Sequence, residues 1–278
     1  MIALQTGEIA ALVNGDQIGP EVTVTGIIAD SRAVSSGELF VALRDERDGH
    51  DFLASAFANG AAAALIERVE ALPEGMPGIV VADTWQAIAT LAGAVRTRLA
   101  PKVVAVTGSV GKTTTKDLIA AAIGASRMTV ASKGSFNNEL GVPLTLLELS
   151  PDTEVAIVEV GSRGPGHIAS LMTIVRPDVA VVTAIGGGAH LETFGTIEAL
   201  VAAKAELVQG LGVDGVAVLN MDDDAVRSMA AAAPGAVILF SALGSIDADL
   251  RAVDQIIVVG AGAAGIAAAA REHGATDV

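Results

Sequence analysis

Apolar and polar positions follow two different rhythms along the chain. Over residues 1–99 short apolar runs, "EVTVTGIIAD", "GELFVAL", "AALIER" and "GIVVAD", read as strands. Between them "HDFLASAFANGA" has helical spacing, and "TWQAIATLAGAVRTRLA" is an amphipathic helix that stops at Pro101. A residue that precedes proline is pushed out of the helical region, so a boundary is expected there. Beyond it the rhythm becomes strand, loop, helix. "KVVAVTG", "EVAIVEVG", "DVAVVTAI" and "GVAVLN" are continuous apolar runs without alternation, as in strands buried on both faces of a parallel sheet. Helical spacing over 111–123, 166–175 and 193–210 separates some of them, which implies right-handed βαβ crossovers. The fold class predicted is α/β: a first α/β domain over 1–99, then a domain over 100–252 with a mostly parallel sheet.

Composition narrows the partners. A chain of 278 residues, 51% hydrophobic and 18% charged, has room for two buried cores. A net charge of −15 argues against DNA or RNA, whose phosphates need a basic face. A nucleotide stays possible, because one lysine, a metal ion and backbone N–H groups suffice for it. With no cysteine, disulfides, zinc–thiolate sites and cysteine nucleophiles are excluded. One Trp and no Tyr argue against stacking platforms built from aromatics. The first residues lack the pattern of a signal peptide, and no apolar run is long enough for membrane insertion. A cytoplasmic monomer is expected.

Candidate chemistry begins at "VVAVTGSVGKTTTKDLIAAAI". A phosphate loop is spelled G-x-x-x-x-G-K-[ST], yet Val106 stands at the first glycine's place and Gly108 comes two residues late. The context still fits, a strand running into a glycine loop that opens a helix. Gly108 and Gly111 let N–H groups approach an anion, and Ser109 and Val110 lie between them. Lys112 can reach β- and γ-phosphates and the Thr113 hydroxyl suits Mg²⁺, with Thr114 next in line. The plain alternative is an ordinary glycine-containing strand–helix turn.

Read from the residues, several other positions stay ambiguous. Glu159, near the end of "EVAIVEVG", is either a solvated strand end or a metal ligand facing a cleft. His190, after "AIGGGA", is either structural or functional, and Lys204 in "AAKAEL" reads as a snorkelling surface lysine. Asn137 and Asn138 could be turn residues, and "DSR" at Ser31 and Arg32 a plain turn. Asn220 closes a strand before an acidic helix start.

"TGSVGKTTTK" resembles the loop of the Mur ligases, and the resemblance widens to most of the chain. "ASKGSFNNELGVPLTLLEL", "VEVGSRGPGHIASL", "AIGGGAHLETFGTIEALVAAKAEL" and "VLNMDDDAV" follow in that family's order, and "ADSRAVSSGELFVAL" with "DGHDFLASAFANGA" resembles its N-terminal domain. The double-Asn and "DSR" segments look most like the branch that adds D-alanyl-D-alanine to UDP-N-acetylmuramoyl-tripeptide. The resemblance implies an ATP-dependent amide ligase of peptidoglycan precursor synthesis that works through an acyl phosphate. A folylpolyglutamate synthase type fits less well, because the first domain suits a UDP-sugar.

The same resemblance implies roles. Gly108 to Thr114 and Asn220 would bind ATP, with Asn220 at the adenine. Lys112, His190 and Lys204 would be catalytic, and Thr113, Glu159 and His190 would hold Mg²⁺. Ser31, Arg32, Asn137 and Asn138 would bind the UDP-linked substrate. Lys204 would be carbamylated, which no spacing or composition shows.

Near the end, "VVGAGAAGIAAAA" contains Gly260, Gly262 and Gly265 in dinucleotide spacing, but the chain ends before the second strand and acidic partner that fingerprint needs. The segment resembles a late piece of the family's Rossmann-like C-terminal domain. The family pattern therefore jumps near Ala252–Val253, with 253–278 a remnant and most of that domain missing. Such a chain would be either a ligase of reduced competence or a remnant that binds UDP-precursor or ATP without turnover. Another Mur ligase, adding a different amino acid, is the remaining alternative.

Overall fold

A computed structural model describes residues 1–186, 191–243, 245 and 247–251, which form two compact units. The first comprises Met1–Ala100 with Glu139–Pro151, the second Pro101–Asn138 with Asp152 onward.

In the first unit β1 (Leu4–Gln5) leads into α1 (Thr6–Val13), β2 (Asp16–Ile18), β3 (Thr23–Val24), β4 (Gly26–Ile28) and β5 (Glu38–Val41). A 3₁₀ turn then opens α2 (Leu53–Ala58), followed by β6 (Ala63–Ile66), β7 (Gly78–Val80) and α3 (Thr84–Leu99). Strands β4, β5, β6 and β7 pair in parallel, and β2 closes the sheet antiparallel on β7. Phe40, Leu53, Ala56, Ile66 and Met76 pack into one core cluster. Helix α3 starts where the Asp83 carboxylate accepts from the Gln86 N–H at 3.0 Å. It ends on Ala100, whose left-handed backbone (φ 47°) precedes Pro101. The pattern "EVTVTGIIAD" is split here, because Thr25 separates β3 from β4 and the two join different sheets.

The second unit is built on one parallel sheet. In chain order come β8 (Lys102–Thr107), α4 (Lys112–Gly124), β9 (Thr129–Ala131), and then α5 (Gly141–Leu147), which packs on α3 within the first unit. The second unit resumes with β10 (Val155–Glu159), α6 (His167–Val175), β11 (Val179–Val182), α7 (Leu191–Phe194), α8 (Ile197–Gln209), β12 (Val216–Asn220), α9 (Asp224–Ser228), β13 (Ala236–Ser241) and β14 (Leu250–Arg251). The strand order is β14-β13-β12-β11-β8-β10-β9, with every pairing parallel. From β8 the chain goes to β9 at one edge, returns to β10 between the two, and then crosses to β11 on the other side of β8. The carboxyl ends of β8, β10 and β11 therefore border a topological switch, where such sheets bind ligands. The helical pattern over 193–210 is interrupted, since Gly195 (φ 74°) breaks α7 from α8.

The junction expected at Ala252–Val253, the segment 253–278 with Gly260, Gly262 and Gly265 expected to be a remnant, and His190 lie outside the described residues. Among the described residues no helix is long and apolar enough to cross a membrane.

Candidate nucleotide and substrate sites

Strand β8 delivers the loop Gly108–Gly111 to the switch point, and its geometry needs both glycines. Gly108 has φ 149° and Gly111 has φ 83°, conformations that side chains disfavour. A Cβ at Gly108 would overlap the Thr183 hydroxyl. That hydroxyl donates to the Val110 carbonyl at 2.6 Å, and the Ser109 N–H donates to the Ala184 carbonyl at 2.7 Å. The loop is thus pinned to the end of β11. Ser109 is buried with its hydroxyl lacking a hydrogen-bond partner, whereas Val110 and Thr114 are exposed.

Gly111 caps α4, so Lys112 and Thr113 sit on its first turn. The Lys112 ammonium donates to the Gly108 carbonyl at 2.9 Å and the Ser109 carbonyl at 3.3 Å. Burial lowers its pKa, and the nearby Glu159 carboxylate opposes that shift. The Thr113 hydroxyl donates to Glu159 Oε2 at 2.9 Å, and Asn137 Nδ2 donates to Oε1 at 2.7 Å. Glu159 has no exposed surface, so it is not a solvated strand end. A buried carboxylate beside a hydroxyl, both oxygen donors at a glycine loop that opens a helix, suits a hard divalent cation such as Mg²⁺. Among the described residues no group of three acidic or histidine side chains could enclose a metal alone. Phosphate oxygens and water would therefore complete the shell.

Lys204, on α8, is 1% exposed and is no surface lysine. Burial, then the Lys112 charge, push its pKa down to about 8 against the pull of Glu206. Lys112, Lys204, Asn137, Asn138, Arg163 and His167 line one cavity of about 140 Å³. Both lysines and both asparagines, each predicted from the sequence, thus converge there, joined by two basic side chains that the sequence did not single out. Asn137 also braces the wall, its carbonyl accepting from the Gly161 N–H at 2.7 Å. Asn220 closes β12, and its side-chain oxygen accepts from the Asp222 N–H at 3.0 Å.

Two structural groups lie within the quoted motifs but receive no role from the sequence. Lys116 is 2% exposed and donates to the Ser132 carbonyl at 2.6 Å, while the Ser132 hydroxyl accepts from the Glu159 N–H at 3.0 Å. Asp223 caps α9 and accepts from the Ile185 N–H at 2.7 Å. Its place at the end of "TGSVGKTTTK", as a charged residue inside the helical pattern of α4, is the signal that could have found Lys116.

In the first unit Ser31 and Arg32 border a cavity of about 630 Å³ with Arg47, Phe52 and Trp85. Arg32 grips its own neighbour, with Nε 2.9 Å and Nη2 2.7 Å from the Asp30 carboxylate, which holds that carboxyl down to about 2. Asn59 Nδ2 donates to the Ser31 carbonyl at 2.8 Å. Arg47 lies over the Phe52 ring at 5.7 Å. Scarce as aromatics are, the single Trp and this Phe both line the cavity.

Comparison with known proteins places the chain within one family. A family profile described as Mur ligase middle domain matches residues 106–262, and one described as Mur ligase family, catalytic domain, matches 23–108. The chain is 38% identical over 225 residues to the UDP-N-acetylmuramoyl-tripeptide–D-alanyl-D-alanine ligase of Escherichia coli (strain K12), covering 81% of this chain and 49% of that protein. A crystal structure of MurF from Acinetobacter baumannii superposes with a TM-score of 0.80 at 33% identity, over 90% of this chain and 55% of the other. MurF ligase from Thermotoga maritima, solved in complex with ADP, superposes with a TM-score of 0.70 at 33% identity, over 80% of this chain and 51% of the other. The chain spans about half the length of the relatives it matches.

Proposed function

This chain belongs to the Mur ligase family, and from that premise we propose that it carries the ATP- and UDP-precursor-binding parts of a cytoplasmic, ATP-dependent ligase. The reaction is the joining of D-alanyl-D-alanine to UDP-N-acetylmuramoyl-tripeptide. The observation that carries the reading is the meeting of Lys112, Thr113 and Glu159 at the mouth of a glycine loop.

In this reading the loop N–H groups and the α4 N-terminus hold the phosphates. Lys112 leaves the loop carbonyls for the β- and γ-phosphate oxygens and offsets their charge as the tripeptide carboxylate approaches. A carboxylate oxygen attacks the γ-phosphorus, the bond to the bridging oxygen breaks, and ADP leaves. The dipeptide amine then attacks the acyl carbon, loses its proton, and expels phosphate. Mg²⁺, when bound, supplies charge neutralisation between the two anions. Thr113 and Glu159 would hold it, with His190 as a further ligand. Asn137 and Asn138 line the cleft for the UDP-linked substrate, Asn220 meets the adenine, and Ser31 with Arg32 receives the UDP end. A Lys204 amine with a pKa of about 8 keeps a neutral fraction, the form that adds carbon dioxide to give the carbamate the family resemblance implies.

Phosphate release that requires both UDP-N-acetylmuramoyl-tripeptide and D-alanyl-D-alanine, and that Lys112→Ala abolishes, tests the reading. Release with a single amino acid in place of the dipeptide assigns another Mur ligase activity. A second reading is nucleotide or precursor binding without turnover. Saturable ADP binding with no phosphate release supports that one.

A further inference from the structure

We propose that Glu206 is a positioning residue for the triphosphate end of the nucleotide, holding the segment 162–167 against the helix that carries Lys204. The inference rests on the nucleotide-binding reading above. Helix α6 is preceded by its N-cap residue Gly166, which has a left-handed backbone (φ 80°) and no side chain with which to cap the helix. The cap comes from another element. Glu206, on α8, accepts from the Gly166 N–H at 2.6 Å through Oε1 and from the Ala169 N–H at 2.9 Å through Oε2.

One carboxylate thus ties two walls of one cavity. Arg163 and His167 stand on the α6 side, and Lys204 lies two residues before Glu206 on α8. Lys112 lies on the same cavity, and the lining described contains amides but no Asp or Glu. Glu206 is not part of that lining and braces it from behind. Groups on the loop itself meet the first two phosphates. In the proposed pose those beyond Lys112 meet the third, or the anion it becomes. Loss of the brace should therefore be felt by a triphosphate and not by a diphosphate.

Titration calorimetry with Mg²⁺ compares ADP and the β,γ-imido analogue of ATP on the wild-type chain, Glu206→Ala and Glu206→Gln. We expect Glu206→Ala to bind ADP within about two-fold of wild type and the triphosphate analogue roughly ten-fold more weakly, the scale of one lost charge-assisted hydrogen bond. Glu206→Gln, whose amide oxygen still accepts one N–H, should recover part of that difference. A purely structural cap would lower the melting temperature and leave the ratio of the two affinities at its wild-type value, which overturns the proposal. Should Glu206→Ala fail to fold, the ratio in Glu206→Gln decides alone. A wild-type chain that binds neither nucleotide overturns the functional reading and this inference with it, whereas wild-type binding with an unchanged ratio overturns only this one.

Discussion

Thr113 Oγ1 lies 2.9 Å from Glu159 Oε2, joining the first turn of α4 to the end of β10. Parallel pairing sets this meeting, because Glu159 is in register with Val106 on β8, just before the loop. A carboxylate held without solvent exposure at such a place costs free energy unless its partners return it. Its two neutral partners, a hydroxyl and an amide, leave its charge to be met by Lys112 and by a cation brought with the nucleotide.

Glu159→Gln keeps the shape and removes the charge. Phosphate release by this variant should fall by roughly a hundred-fold or more, since several kcal/mol of charge stabilisation depend on the metal. Its Mg²⁺ requirement should shift to higher concentration, while metal-free ADP binding is retained. A Mg²⁺ titration that superposes on the wild-type curve would remove Glu159 from the metal site.

Lys204 makes stability depend on pH in a direction fixed by its burial. Its pKa falls from 10.5 to about 8 on folding. Below pH 8 the lysine is protonated in both states and the burial cost is complete. Between about 8 and 10.5 the unfolded chain binds more protons, so this contribution makes stability rise with pH. Lys204→Met should therefore be more stable than wild type at pH 7, by at most about 3 kcal/mol, with the gain fading by pH 10. Denaturant unfolding of both proteins at the two pH values measures it. A difference that does not change with pH would contradict a buried, protonated lysine.

Much of this site is legible in the sequence, for a physical reason. Strands buried on both faces of a parallel sheet are unbroken apolar runs, so β8, β10, β11 and β12 stand out, and polar residues at their ends mark the ligand crevice. Lys112, Thr113 and Glu159 are visible in that way. Glu206 is not, because its partners Gly166 and Ala169 lie about forty residues away and only tertiary packing brings them close. Nor does sequence order say which core a helix joins. Residues 139–151 follow β9 in the chain yet pack in the first unit, where Val142, Leu146 and Leu147 are buried. Helix α1 is hard to read for a related reason, its eight residues being too short a window for a clear period.

In the first unit His50 is a structural group whose loss should be costly. Its Nδ1 is 2.7 Å from Asp48 Oδ1, and its Nε2 accepts from the Glu67 N–H at 2.9 Å and the Arg68 N–H at 3.3 Å. Because Nε2 accepts, the ring is neutral with its proton on Nδ1. His50→Ala strands these N–H groups in the interior and opens a cavity, a loss of about 2–4 kcal/mol. Calorimetric unfolding should show a clear fall in melting temperature for His50→Ala. A fall below about 0.5 kcal/mol would mean that water replaces the ring without penalty.

Gly108→Ala tests whether the loop needs its glycine as a geometric necessity. The added Cβ meets the Thr183 hydroxyl and comes within 3.2 Å of the Ala184 backbone, at a φ of 149°. Thr183 cannot give way freely, since its hydroxyl also holds the Val110 carbonyl and its N–H donates to the Thr107 carbonyl at 3.0 Å. Strain and overlap together should destabilise the second unit by about 2 kcal/mol or more. ADP binding should be lost even where the fold survives, because the N–H groups no longer converge. Gly212→Ala is the matched control, as a Cβ there would meet nothing within 4 Å and its backbone is ordinary. Thermal melts with and without ADP compare the two. Equal ligand-induced stabilisation in both variants would show that the loop tolerates a side chain at Gly108 and that the phosphate site does not depend on this backbone shape.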